Sequence, residues 1–333
     1  MRVVVTGASG NVGMSLLPAL AADDRIDEIV GLARRKPSHQ VPKTEWRSAY
    51  VERSDLESIF EGADCVVHLA WAVQPSHDLA ALRQINVDGS ERVFRAVAEA
   101  DVPALVYASS VGAYSPGPKH RPVDESWPTD GTPTSFYARH KAEVENLLDH
   151  FQAGRPETRV VRLRPGLIFK RGSGEEQRRY FLGPLFPRIL ARDGAIAFVA
   201  DIDGLRFQAV HSLDVADAYR LAIVGDARGA FNIAADPVLD PDTLATALDA
   251  RKLPLPARVV RGAMATSWRL RLQPTPPGWL DMGLSVPIMD TTRAREVLGW
   301  EPRHSSIEAI RDVLSGIAEA AGEPTPPLES ARR

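Results

Sequence analysis

The chain has 333 residues, enough for one large α/β domain or one domain with a substantial second lobe. Its 40 Lys and Arg against 43 Asp and Glu give a formal net charge of −3, which excludes a polybasic nucleic-acid binder and a protein drawn by bulk charge to an anionic membrane. Cys65 is the only cysteine, no leader precedes the apolar start MRVVVTGASG, and no apolar run approaches the ~20 residues of a bilayer span, so the expectation is a soluble cytoplasmic protein without disulfide or metal site.

The first half alternates short β-branched apolar runs with amphipathic stretches, the pattern of a parallel sheet wound by crossover helices. Strands are predicted at 2–6, 28–33, 65–69, 104–108 and 159–164, and helices at 12–22, 54–61, 86–100 and 136–151. A Rossmann-type doubly wound parallel sheet is expected over 1–165, with a returning segment near 208–235. A smaller substrate lobe follows over 166–333, where Pro184 and Pro187 interrupt the pattern and 254–277 resists assignment. The Pro-rich, polar end at 321–333 reads as a frayed tail.

Residues 3–13 read VVVTGASGNVG, a strand running into a glycine turn and then a helix. Gly7 suits the tight turn, Gly10 lets backbone approach a pyrophosphate, and Gly13 lets helix and strand pack closely, while the helix N-terminus offers unpaired N–H groups to the anion. That context points to a dinucleotide site. The second strand then ends in Arg34, Arg35 and Lys36 rather than in the carboxylate that binds a ribose 2′-OH. Cations there suit a 2′-phosphate, so NADP is favoured and NAD is the alternative.

Ser109 and Ser110 follow the strand at 104–108, and Tyr137 and Lys141 stand four apart on one helix face. A phenol with a pKa near ~10 needs a neighbouring cation to act as a base at neutral pH, and a serine hydroxyl can hold the substrate oxygen. Together with RSDLESIF, VVHLA, NVDGSERVF, VYASSVGAY, YARHKAEVE, RLRPGLIF, VHSLDVADAY and DTTRAREVLGWEP, these residues make the chain resemble the extended short-chain dehydrogenase/reductases, the NAD-dependent epimerase/dehydratase superfamily. The resemblance implies Ser110, Tyr137 and Lys141 as catalytic groups. It implies cofactor contacts from Gly7, Ser9, Gly10, Asn11, Val12, Gly13, Arg34, Arg35, Leu69, Ala70, Asn86, Ala108, Pro165 and Gly166, besides Tyr137 and Lys141, with Asp55 and Leu56 as the pair at the adenine. Relatives of this kind often dimerise through the helices at 86–100 and 136–151, which makes a homodimer the suggested assembly.

Departures from the pattern narrow the chemistry. Dehydratases carry Asp and Glu where this chain has Val111 and Gly112. Nucleotide-sugar epimerases commonly place an asparagine after the Arg-Pro of the sixth strand, where Gly166, Leu167 and Ile168 follow here, and Phe207 replaces a further arginine, with Arg206 one place earlier. The expected activity is hydride transfer between a nicotinamide and a carbonyl or secondary alcohol of a small molecule. A nucleotide-sugar epimerase and a non-catalytic dinucleotide sensor are the alternatives. His68 and His211 read as structural; Trp71, Gln74 and His77 lie where a substrate approaches, and 170–179 is either a cover over a polar substrate or a solvated connection.

Overall fold

The computed structural model describes residues 1–73, 76–183 and 186–329; Gln74, Pro184 and the last four residues of the expected tail lie outside the described residues. Seven parallel strands form the central sheet: β1 (Arg2–Thr6), β2 (Glu28–Ala33), β3 (Thr44–Ser48), β4 (Cys65–His68), β5 (Ala104–Ala108), β6 (Arg159–Pro165) and β7 (Gly229–Ile233). Their order across the sheet is β7-β6-β5-β4-β1-β2-β3, a doubly wound arrangement whose winding reverses between β1 and β4. The main helices are α1 (Asn11–Ala21), α2 (Gly89–Glu99), α3 (Phe136–Gly154), α4 (Ser212–Val224), α5 (Ala257–Arg269), α6 (Gly278–Ser285) and α7 (Ser306–Glu319).

Side chains alternate across the pleat, and both faces of the sheet are covered. Val3 and Val5 pack in one apolar layer with Leu16, Leu17 and Leu20 of α1 and Val215 and Tyr219 of α4. Val4 faces the other layer, with Val93 and Val97 of α2 and Val144 and Leu148 of α3. This two-sided burial explains why β1 reads as an unbroken apolar run, and each such side chain contributes ~1.5–3 kcal/mol relative to exposure.

β3 escapes the sequence pattern because it is an edge strand, TEWRS, in which only Trp46 is buried. The expected returning unit divides. Ala209–His211 pairs with Leu167–Phe169 outside the main sheet, whereas β7 joins it beside β6. The unassigned 254–277 stretch contains α5, none of whose residues is buried. The expectation of a frayed tail is corrected over 321–329. Leu328 is 0% exposed within the layer of Val3 and Leu17, and Thr325 is 2% exposed.

Candidate active site

The turn after β1 is built for close approach. Gly7 sits at φ +69°, and a Cβ there would stand 2.6 Å from the Ala70 nitrogen; a Cβ on Gly13 would stand 2.3 Å from the Ala8 oxygen. The turn leads into α1, whose first N–H groups point out of the helix with partial positive charge. Asn11 Nδ2 donates to the Ile168 oxygen at 3.3 Å, while its Oδ1 is buried without a partner. Thr6, Gly7, Ser9, Gly10, Leu69 and Ala70 line a cleft that runs between this turn and Arg34 and Arg35 at the end of β2. These residues fit the phosphates of a dinucleotide: a close-packed backbone cradle, a helix N-terminus and two exposed cations.

Beyond β5 lies the second group. Ser110 Oγ accepts from the Gly112 nitrogen at 3.0 Å, and Gly112 in turn packs against the ring of Tyr137 near the start of α3. Burial pushes the Tyr137 phenol up to about 12, with the nearby Ser110 hydroxyl opposing, so the hydroxyl is protonated at neutral pH. One turn on, Lys141 is 3% exposed, its Nζ donates to the Ala108 oxygen at 2.6 Å, and it lies 6.0 Å from the Tyr137 ring centroid. Burial pushes its ammonium well below the ordinary lysine range, with Glu145 opposing. Glu145, a further turn along, is 0% exposed. It accepts from Arg162 Nη1 at 2.9 Å, Arg164 Nε at 2.9 Å and Ser109 Oγ at 2.5 Å. Burial raises its carboxyl, but Arg164 and Arg162 outweigh that and hold it at about 2.

Aromatic rings enclose the phenol. Trp279 of α6 lies 4.9 Å from the Tyr137 ring and Trp71 lies 6.0 Å from it, with Lys141 Nζ 3.5 Å from the Trp71 centroid. The indole N–H groups of Trp71 and Trp279 are buried without a partner. A Cβ on Gly112 would meet Tyr137 Cε1 at 2.9 Å and Met282 Sδ at 3.0 Å. The carboxylate that dehydratases carry at this place has no room beside the tyrosine.

The pattern of the NAD-dependent epimerase/dehydratase family matches residues 3–234. The chain belongs to the NAD-dependent epimerase/dehydratase family. An uncharacterised protein of Mycobacterium tuberculosis is 27% identical over 332 residues, covering 94% of this chain and 83% of that protein. A 4-hydroxy-2-methyl-3-oxo-4-farnesyl-3,4-dihydroquinoline-1-oxide ketoreductase of Stigmatella aurantiaca is 30% identical over 173 residues, 51% of each chain. Among solved structures, the UDP-glucose 4-epimerase of Thermus thermophilus in complex with NAD has a TM-score of 0.71 at 22% identity, covering 96% of this chain and all of that one. This likeness is one of fold. As a member of the epimerase/dehydratase family the chain is an NAD-dependent enzyme of the epimerase and dehydrogenase kind.

Within that family frame, not every expected contact reaches the cleft. Asp55 is exposed; it accepts from the Ser58 nitrogen at 3.3 Å and Oγ at 2.6 Å at the start of the short helix Glu57–Phe60. Leu56 is buried in the apolar layer beneath. Neither side chain lines the cleft, whereas Val51 and Glu52, reached soon after β3, do. With β3 unrecognised, the end of that strand had no marker. Asn86 spends its amide on the Ala72 backbone, accepting from its nitrogen at 2.7 Å and donating to its oxygen at 3.1 Å, and so positions the Leu69–Ala72 wall. Val12 packs in the α1 face of the core, and Pro165 and Gly166 end β6 against Gln208, where a Gly166 Cβ would meet the Gln208 oxygen at 2.5 Å.

His68 bonds Thr6 Oγ1 at 2.7 Å and Ser90 Oγ at 2.9 Å, and burial pushes its imidazole down to about 3, which is the structural role expected. His211 caps α4 and bonds Asp312 at 3.2 Å, likewise structural. His77 stacks on Trp268 at 4.5 Å. The 170–179 stretch is not a solvated connection: Lys170, Ser173, Glu175, Glu176 and Arg178 are buried. Glu176, pushed up to about 7 by burial, joins Tyr180, Pro326 and Pro327 in the far wall of the cleft. Sequence reasoning missed this wall, since a polar loop and a proline-rich end carry no local sign of burial. Among the described residues no helix is long and apolar enough to cross a membrane.

Proposed function

We propose that the protein is an NADP-linked oxidoreductase that reduces a carbonyl of a small molecule, or runs the reverse oxidation of a secondary alcohol. The observation that carries this reading is Tyr137 and Lys141 one helical turn apart on α3, with the tyrosine ring packed between Trp279 and Gly112, whose nitrogen donates to Ser110 Oγ. When bound, the nicotinamide would supply the hydride at its C4. Ser110 Oγ would hold the carbonyl oxygen, and Tyr137, protonated at neutral pH, would give it a proton. Lys141, with Nζ 6.0 Å from the Tyr137 ring centroid, would stabilise the phenolate electrostatically, and the negative charge formed there would in turn favour its ammonium against the burial that disfavours it. Trp71, Trp279 and Met282 around the phenol favour an apolar substrate. The ketoreductase from Stigmatella aurantiaca, similar over half of the chain, supports the same direction.

The NADP preference rests on Arg34 and Arg35, both exposed in the cleft. Glu52 and Glu176 share that cleft, and Glu176, with its raised pKa, is only partly charged at neutral pH. A second reading, nucleotide-sugar epimerisation, is supported by the fold likeness to the Thermus thermophilus epimerase. Gly166, Leu167, Ile168 and Phe207 stand against it because they supply no polar side chain for a sugar-nucleotide pyrophosphate. Following nicotinamide absorbance with candidate ketones separates the two. Stoichiometric NADPH consumption supports reduction, and isomer interconversion without net consumption overturns it. Tyr137→Phe is expected to leave dinucleotide binding intact and to lower turnover by a factor of ~100 or more; full activity in that variant would remove the phenol from the mechanism.

A further inference from the structure

We propose that residues 323–328 form a strap over the dinucleotide cleft, one that helps to retain the bound cofactor and must lift for it to enter or leave. The proposal rests on the reading of the cleft as the dinucleotide site. Thr325 Oγ1 donates to the Ser9 oxygen at 2.9 Å, tying the strap to the phosphate-binding turn across 316 positions of sequence. Pro326 and Pro327 then line the cleft opposite Leu69 and Ala70.

The strap is anchored on both sides of that crossing. Upstream, Glu323 pairs with Lys170 at 2.7 Å, and Lys170 Nζ also donates to Ser15 Oγ of α1 at 3.1 Å. Downstream, Leu328 is fully buried in the core. The Glu323 nitrogen donates to the Leu328 oxygen at 3.0 Å, closing the segment into a compact loop. Arg179 Nη2 donates to the Pro327 oxygen at 2.5 Å, pinning the strap to the far wall.

Two features make it a moving wall. The free volume of the cleft is about 160 Å³, below the ~300–1,000 Å³ of sites that enclose small molecules, so with the strap in this position the cleft is narrow for a dinucleotide. The cleft-facing stretch is also held by few polar contacts, the Thr325 and Arg179 bonds, while the apolar anchor lies outside it at Leu328. A segment with few buried contacts opens at lower free energy than the core around it. The prolines limit its conformations, so it can reseat without a large ordering cost.

The test reads cofactor release rather than turnover. Bound NADPH is displaced by excess NADP in a stopped-flow fluorimeter, using wild-type protein, Thr325→Val and Arg179→Met. Each variant is expected to release NADPH about 3- to 10-fold faster, the range that follows from loss of one hydrogen bond, and Thr325→Ser should restore the wild-type rate. Hydrogen exchange at 323–328 should slow when NADPH is added. Wild-type release rates in both variants, with melting temperatures unchanged, overturn the strap, as does exchange in the segment that ignores NADPH. If wild-type protein binds neither NADPH nor NADH, the reading of the cleft fails, and the strap with it.

Discussion

At the scale of single residues, the site depends on proton position. Burial holds the Tyr137 hydroxyl with a pKa of about 12, above the ordinary tyrosine value, so it starts as an acid. Carbonyl reduction uses that protonated form, which is populated across neutral pH, whereas alcohol oxidation needs the phenolate, whose fraction grows with pH. In steady-state pH profiles, kcat/KM for reduction is expected to stay level from about pH 6 to 8 and kcat/KM for oxidation to rise. An oxidation rate that falls over the same interval would exclude the phenolate as the base. In the proposed function Arg34 and Arg35 would act on the cofactor rather than on the proton. Replacing both with serine is expected to weaken NADPH binding about tenfold or more while changing NADH binding little, because a 2′-phosphate loses charge-assisted hydrogen bonds that a 2′-hydroxyl does not make. Titration of nicotinamide fluorescence measures both affinities, and equal losses for the two would remove the NADP preference.

At the scale of elements, α3 joins catalysis to the core. Tyr137, Lys141 and Glu145 follow at one-turn intervals, and Glu145 is fixed by Arg162 and Arg164 on β6 and by Ser109 after β5. The helix is thereby keyed to the two strands next to it, which sets the height of the tyrosine above the sheet. Glu145→Gln leaves two buried guanidinium groups short of their main partner and is expected to cost about 3 kcal/mol, read as a shift in the urea midpoint. Because the folded carboxyl lies at about 2, below its unfolded value, its contribution is present in full above the unfolded pKa and is lost as pH falls through the folded one. Between pH ~4.3 and about 2 the wild-type protein should therefore lose stability more steeply than the Gln variant. Parallel acid-denaturation curves would refute this.

At the scale of the whole molecule, what the sequence discloses depends on where burial comes from. β1, β2, β4 and β5 are legible because covered sheet faces leave largely apolar runs, β6 because Val160, Val161 and Leu163 stand out between its arginines, and the glycine turn because close backbone approach excludes other residues. The proposed catalytic residues Ser110, Tyr137 and Lys141 are legible through their spacing. β3 is hidden because an edge strand buries one side chain, and the cleft wall that follows it is hidden with it. Glu176 and the strap are hidden for a different reason: their neighbours lie far away along the chain, so local polarity resembles that of a solvated loop.

Leu328 lies in the same apolar layer as Val3 and Leu17. That layer therefore closes only when a side chain far along the sequence from its first strand docks on it, and a chain cut before residue 328 would keep its strands but leave an unfilled place on one face of its sheet.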